Sequence, residues 1–144
     1  MPPKTPLSGR CYCGHMLLRA TDPPQVVTYC HCVDCRRVTG APVGVFAAFD
    51  PDHLTFEPPL DNGKSYENGV TRWNCPHCNS PLAARYPYLP DQIYLPIGLF
   101  DQAAELAPEA HSHSAQQLPW LHLQDDLPRS DGSGRARLKE AAHD

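Results

Sequence analysis

Seven cysteines carry the most specific chemistry available to this chain, and they fall in three clusters: Cys11 with Cys13, Cys30 with Cys32 and Cys35, and Cys75 with Cys78. Structural zinc takes four tetrahedral protein ligands, whereas catalytic zinc keeps three and leaves one position to water or substrate. Seven divides into four plus three. Cys11, Cys13, Cys75 and Cys78 make a closed set that ties the start of the chain to a turn far downstream, and Cys30, Cys32 and Cys35 lie close enough for one turn of backbone to aim three sulfurs at one metal. A competing partition pairs Cys32 and Cys35 with Cys75 and Cys78 as in a zinc ribbon, leaving Cys11, Cys13 and Cys30 without a task. A dithiol redox reading of Cys32-Val33-Asp34-Cys35 or Cys75-Pro76-His77-Cys78 lacks the βαβ pattern that usually surrounds such a motif. An odd cysteine count also argues against a full disulfide framework.

An open three-cysteine site favours thiol chemistry. A free thiol with a pKa of about 8.5 is only about a few per cent ionised at neutral pH, and coordination deprotonates it outright, worth roughly 2 kcal/mol in thiolate population. Zinc with three thiolates carries a formal charge of about −1, which suits a soft sulfur ligand and disfavours hydroxide generation. Several neighbours deserve a reading. His31, between two of the cysteines, either orients water and passes a proton or faces away bonded to backbone. Arg36 and Arg37 either hold a substrate carboxylate or stand as solvated surface, and Asp34 reads as a helix-turn residue or an acceptor for backbone N–H groups. His15, His77, His111 and His113 carry weaker signals, although a histidine could enter the open position in a resting state.

The elements that position these residues read as short strands. Of 144 residues, 41% are hydrophobic, and 17 prolines and 9 glycines imply many turns and exclude a helical bundle. Strand character runs over 16–21, 26–29, 43–49, 54–56, 71–73, 82–86 and 93–99, separated by turn signals such as Asp22-Pro23-Pro24 and Asn68-Gly69. Helical turns are predicted over 33–38 and over 102–106, the latter with Asp101 as N-cap and Pro108 as a stop. Trp120, Leu121 and Leu123 predict that 118–127 pack on the domain, which is expected to span residues 1–128. Residues 129–144 have the composition of a mobile C-terminal tail. Twelve basic against sixteen acidic side chains, a net charge of −4, argue against nucleic acid as a partner. No apolar run suits a membrane span, and the start Met1-Pro2-Pro3-Lys4 lacks an export signal's apolar core, so a soluble, cytoplasmic protein is expected.

Three segments together resemble a known family: Gly9-Arg10-Cys11-Tyr12-Cys13-Gly14, then residues 29–42 beginning Tyr29-Cys30-His31-Cys32, then Arg72-Trp73-Asn74-Cys75-Pro76-His77-Cys78-Asn79-Ser80. They are similar to the glutathione-dependent formaldehyde-activating enzyme family, which also contains centromere protein V. Gly98-Leu99-Phe100-Asp101, Pro108 before His111, and Trp120 with Asp126-Leu127-Pro128 extend the likeness over roughly residues 5 to 130. The resemblance implies a mainly β fold, a β-tent of small antiparallel sheets built around zinc sites with few helical turns. It implies two zinc ions per chain, one structural on Cys11, Cys13, Cys75 and Cys78 and one catalytic on Cys30, Cys32 and Cys35. Asn79 stands where the family usually has glycine, and asparagine tolerates the left-handed backbone such a turn needs. Asn74 stands where an aromatic is common. The implied activity is that of a carbon–sulfur lyase or synthase, in which zinc-bound glutathione adds to formaldehyde or a related small electrophile, or the adduct is cleaved. The alternative is a non-catalytic, zinc-stabilised binding module; the only basic run, Arg135-Ala136-Arg137-Leu138-Lys139, is short and followed by acids, which leans away from chromatin.

Overall fold

A computed structural model describes residues 3–143; Met1, Pro2 and Asp144, at the outer limits of the expected domain and tail, lie outside the described residues. Two sheets carry the fold. Strands β1 (Leu7–Arg10), β2 (Leu17–Ala20) and β5 (Leu54–Glu57) form an antiparallel sheet in the order β1-β2-β5. The larger sheet is built from β3 (Val26–Cys30), β4 (Gly44–Phe49), β6 (Lys64–Ser65), β7 (Thr71–Asn74), β8 (Pro81–Arg85), β9 (Ile93–Pro96) and β10 (Ala110–Ser112), in the order β10-β3-β4-β9-β8-β7-β6. The chain is mainly β, as expected. One pairing departs from the antiparallel expectation: β10 runs parallel to β3, with Ser112 opposite Cys30.

Side chains alternate across a strand, so β4 can serve two cores. Its Ala47 and Phe49 join Leu7, Leu18 and Phe56 of the small sheet, while Phe46 and Ala48 turn to the opposite face with Cys35 and Tyr94. This two-sided burial explains why Gly44–Phe49 reads as a continuous apolar run rather than an alternating one. Phe49, Leu7, Leu82 and Leu95 are among the fully buried side chains between the sheets, each worth about 2 kcal/mol or more on burial.

Helix α1 (Val33–Thr39) lies on the second face, where Cys35 enters the core. The turn expected over 102–106 is a 3-10 turn at Ala103–Glu105, and Asp101 does not cap it. Its carboxylate instead accepts the Ser8 hydroxyl at 2.7 Å, tying this loop to β1. Gly9 permits that contact, because a Cβ there would stand 2.3 Å from the Leu99 carbonyl oxygen.

The stretch 118–127 packs only in part: Leu118, Leu121 and Leu123 are half-buried, but Trp120 is 63% exposed. The residues from Arg129 onward, expected as a tail, carry structure. Arg129 bridges to His111, and a helix α2 (Arg135–His143) follows, with Leu138 buried against Phe46 and Tyr94 in the second core and its carbonyl accepting from Gln92 Nε2 at 3.1 Å. Composition alone misses this docking because few apolar side chains make it, Leu138 buried and Ala141 partly buried among those described. No helix among the described residues is long and apolar enough to cross a membrane.

Candidate metal centres

The first centre forms where two turns meet. Cys11 directly follows β1, Cys13 sits in the turn to β2, and Cys75 and Cys78 occupy the turn between β7 and β8. Their four sulfurs lie within 4.8 Å of one another, with Cys11–Cys13 at 3.6 Å and Cys13–Cys75 at 3.8 Å. Tetrahedral zinc with bonds of about 2.3 Å needs sulfur–sulfur edges of about 3.8 Å, so the set fits that ion. Backbone N–H groups point at the sulfurs: Met16 to Cys11 at 3.3 Å, His15 to Cys13 at 3.5 Å, and His77 and Cys78 to Cys75 at 3.4 Å. The Ser80 hydroxyl, 3.0 Å from Cys78 Sγ, helps bring the Cys78 thiol down to about 5. Asn79 holds a left-handed φ of 63° and closes the turn by donating its N–H to the Cys75 carbonyl at 2.8 Å, the role read from its position after the last cysteine.

The second cluster is made by the end of β3 and the start of α1. Cys30 terminates the strand; Cys32 is the helix N-cap, its sulfur accepting the Cys35 N–H at 3.2 Å; and Cys35 sits in the first turn. Cys30 Sγ lies 3.4 Å from Cys32 Sγ and 3.1 Å from Cys35 Sγ. Hydrogen bonds from the Cys30 and Cys35 side chains bring Cys32 down to about 2, while the neighbouring Cys32 pushes Cys30 up to about 12. Cys35 is likewise pushed up, first by Cys30. The three thiols so close together cannot all ionise unaided, and a divalent ion would supply the charge that lets them.

These three sulfurs line a cavity of about 510 Å³. Its wall mixes polar side chains with aromatic and aliphatic ones, among them Phe46, Val70, Tyr86, Tyr88 and Leu138, and Arg72 is the one guanidinium or ammonium among the described residues that line it. Arg72 lies 5.9 Å from the Tyr86 ring centre. Burial pushes the Tyr86 phenol above its ordinary range, so it stays protonated. Arg36 and Arg37, the arginines singled out by sequence, do not line this cavity; Arg36 Nε is buried with no hydrogen-bond partner among the described residues, and Arg37 is exposed beside a smaller cavity. Asp34 does reach the cavity wall. His113, one of four histidines with only a weak signal in the sequence, proves to lie at these sulfurs, with a ring nitrogen within 4.8 Å of Cys30 and Cys32. The stacked rings of His15 and His77, 3.7 Å apart, sit at the four-cysteine turns instead.

His31 points away from the cavity sulfurs into a buried polar chain. Its Nε2 lies 2.8 Å from His111 Nδ1, and His111 Nε2 lies 3.0 Å from Asp125 Oδ2, while the other carboxylate oxygen, Oδ1, accepts from Arg129 at 3.1 Å. The carboxylate can only accept, so His111 donates from Nε2, accepts at Nδ1, and leaves His31 to donate from Nε2. His31 Nδ1 is then a lone pair with no partner among the described residues. Burial, and then the neighbouring His111, bring His31 down to about 4, so it is neutral. The facing-away reading of His31 is the one the structure matches, with His111 in place of backbone as partner.

A family model described as glutathione-dependent formaldehyde-activating enzyme matches residues 6–116. No curated protein sequence matches the chain. Among solved structures, a crystal structure of a Rhodobacter sphaeroides protein is similar in fold at 17% identity and a TM-score of 0.50, covering 85% of this chain and 99% of that one.

Proposed function

Because the chain belongs to the glutathione-dependent formaldehyde-activating enzyme family, we propose that it is a zinc-dependent carbon–sulfur lyase or synthase, with Cys30, Cys32 and Cys35 holding the catalytic ion and Cys11, Cys13, Cys75 and Cys78 the structural one. The carrying observation is the contrast between the two clusters: four sulfurs face one another, while three line a cavity of about 510 Å³, within the usual size range of small-molecule sites. Zinc, when bound there, supplies an ionised thiol sulfur ready to attack a carbonyl carbon.

The chain's own residues do the rest. Arg72 pairs with a carboxylate of the thiol substrate, glutathione being the thiol the family implies. Tyr86, kept as a neutral phenol, donates a hydrogen bond to the oxygen that gains negative charge as the carbon–sulfur bond forms, and that oxygen then takes a proton from solvent. The proton lost from the thiol goes to solvent, so the adduct forms with no net redox change; cleavage runs the same steps backward. Phe46, Val70 and Tyr88 keep bulk water from the reacting carbon. The protein acts in the cytoplasm, where glutathione is its small-molecule partner.

The test is elemental analysis of freshly purified protein followed by exchange NMR of glutathione with formaldehyde. Two zinc ions per chain and exchange faster than in buffer support the reading. Two zinc ions with no acceleration for formaldehyde or other small aldehydes would leave a binding module as the better description.

A further inference from the structure

We propose that His113 is an exchangeable fourth ligand of the three-cysteine site: its imidazole caps the ion while no thiol is present and yields its place to the sulfur of an incoming thiol. This rests on the reading of Cys30, Cys32 and Cys35 as a metal site.

The backbone brings His113 there deliberately. Ser112 pairs with Cys30 across the parallel β10–β3 register, so the next residue leaves the sheet at the same end as the Cys30–Cys35 turn. His113 takes a left-handed conformation, φ 53° and ψ 41°. Among the described residues it shares positive φ without being glycine only with Asn79, which serves the other cysteine centre. That conformation costs a β-carbon about 1 kcal/mol, and the surroundings impose it. The His113 N–H donates to the Gly132 carbonyl at 2.6 Å, and its carbonyl accepts from the Gln116 N–H at 3.0 Å. Gln116 Oε1 in turn accepts from the Val33 N–H at 3.0 Å, at the first residue of α1. The strained residue is thus strapped to the helix that carries Cys32 and Cys35.

The ring itself has no hydrogen-bond partner among the described residues, lines the cavity, and puts a nitrogen within 4.8 Å of two sulfurs. Neutral imidazole is an ordinary zinc donor, and three cysteines with one histidine make an ordinary complete set. In the exchange, the bond from the ring nitrogen to the ion would break, a bond from the thiol sulfur would form, the S–H proton would pass to solvent, and no atom would change oxidation state. A thiol must then outcompete an internal ligand, which favours thiols that gain a second hold in the cavity.

The experiment loads two equivalents of cobalt(II) into the wild-type chain, His113→Asn and His113→Gly; both replacements tolerate the left-handed backbone. The four-cysteine centre contributes equally to all three and cancels in difference spectra. We expect imidazole scattering in the X-ray absorption of the thiol-free wild type, its loss in His113→Asn, its return when free imidazole is added to His113→Gly, and a half-saturating glutathione concentration about tenfold lower in His113→Asn. Identical spectra and titrations for wild type and His113→Asn, with two cobalt ions bound, would overturn the role of His113 alone. A wild-type chain that binds only one cobalt would overturn both this proposal and the metal reading beneath it.

Discussion

His31 Nε2 stands 2.8 Å from His111 Nδ1 across 80 residues of sequence, with 0% and 1% of the two residues exposed. The contact joins the loop between Cys30 and Cys32 to β10, and through Asp125 to the segment that follows. Replacing His111 by phenylalanine leaves the buried His31 N–H without its acceptor and takes one donor from the Asp125 carboxylate, which keeps Leu127 N–H and Arg129. A loss of about 2 kcal/mol in urea unfolding is expected. An unchanged midpoint would mean the chain contributes nothing to holding the loop.

Asp125 gives that chain a pH signature. Its hydrogen bond from His111, the largest cause, and those from the Leu127 N–H and Arg129 hold its carboxyl below the ordinary range. A depressed carboxyl adds stability above its unfolded pKa and loses it as the pH falls through the folded value. The stability gap between wild type and Asp125→Asn should therefore be constant above about pH 5 and close below about pH 4. A gap that widens with acid would contradict the assignment.

The two cysteine centres should answer differently to serine. Cys75→Ser opens the four-cysteine set, whose binding energy would be folding energy of about 10 kcal/mol, so insoluble or unfolded protein with at most one zinc is expected. Cys32→Ser should keep the circular dichroism of the wild type, hold one zinc and lose exchange activity. A Cys32→Ser chain that unfolds, or that turns over at the wild-type rate, sinks the partition.

Arg72→Ala removes the guanidinium from the cavity wall. For glutathione, KM should rise by roughly tenfold to a hundredfold, the worth of a charged hydrogen bond, while kcat changes little. A thiol without a carboxylate should show no such penalty, and an equal penalty for both would remove Arg72 from substrate binding.

Truncation after Pro128 tests the docking of the C-terminal stretch. It removes the Arg129–Asp125 ion pair and uncovers the surface beneath Leu138. Both metals should remain, but urea stability should fall by about 3 kcal/mol and thiol affinity should weaken, since Leu138 lines the cavity.

What the sequence disclosed followed physical signal strength. The cysteine clusters were legible because ligand count and spacing constrain the partition, and β3, β4 and β9 because apolar β-branched and aromatic residues run between turn signals. Strand β1 is four residues long and includes Gly9, whose value is a close approach to Leu99 that no local pattern announces. Strand β10 reads Ala-His-Ser, and its buried polar side chains are satisfied by distant partners, His111 by His31 and Asp125. Arg72 and His113 are brought to the cavity by sheet register and by a strained backbone, both long-range outcomes. The doublet Arg36-Arg37 was conspicuous in sequence, yet the helix turns it away from the cavity.

The meeting of the β1–β2 turn with the β7–β8 turn has a consequence for the unfolded chain. Cys13 and Cys75 are separated by 62 positions, so an ion shared between those turns closes a loop of that length. By the loop-closure relation used for covalent cross-links, restricting such a loop is worth about 4 kcal/mol at room temperature. The ion would then do a disulfide's work by a bond that forms and releases with metal supply rather than with redox state, making the chain's foldedness a readout of zinc availability.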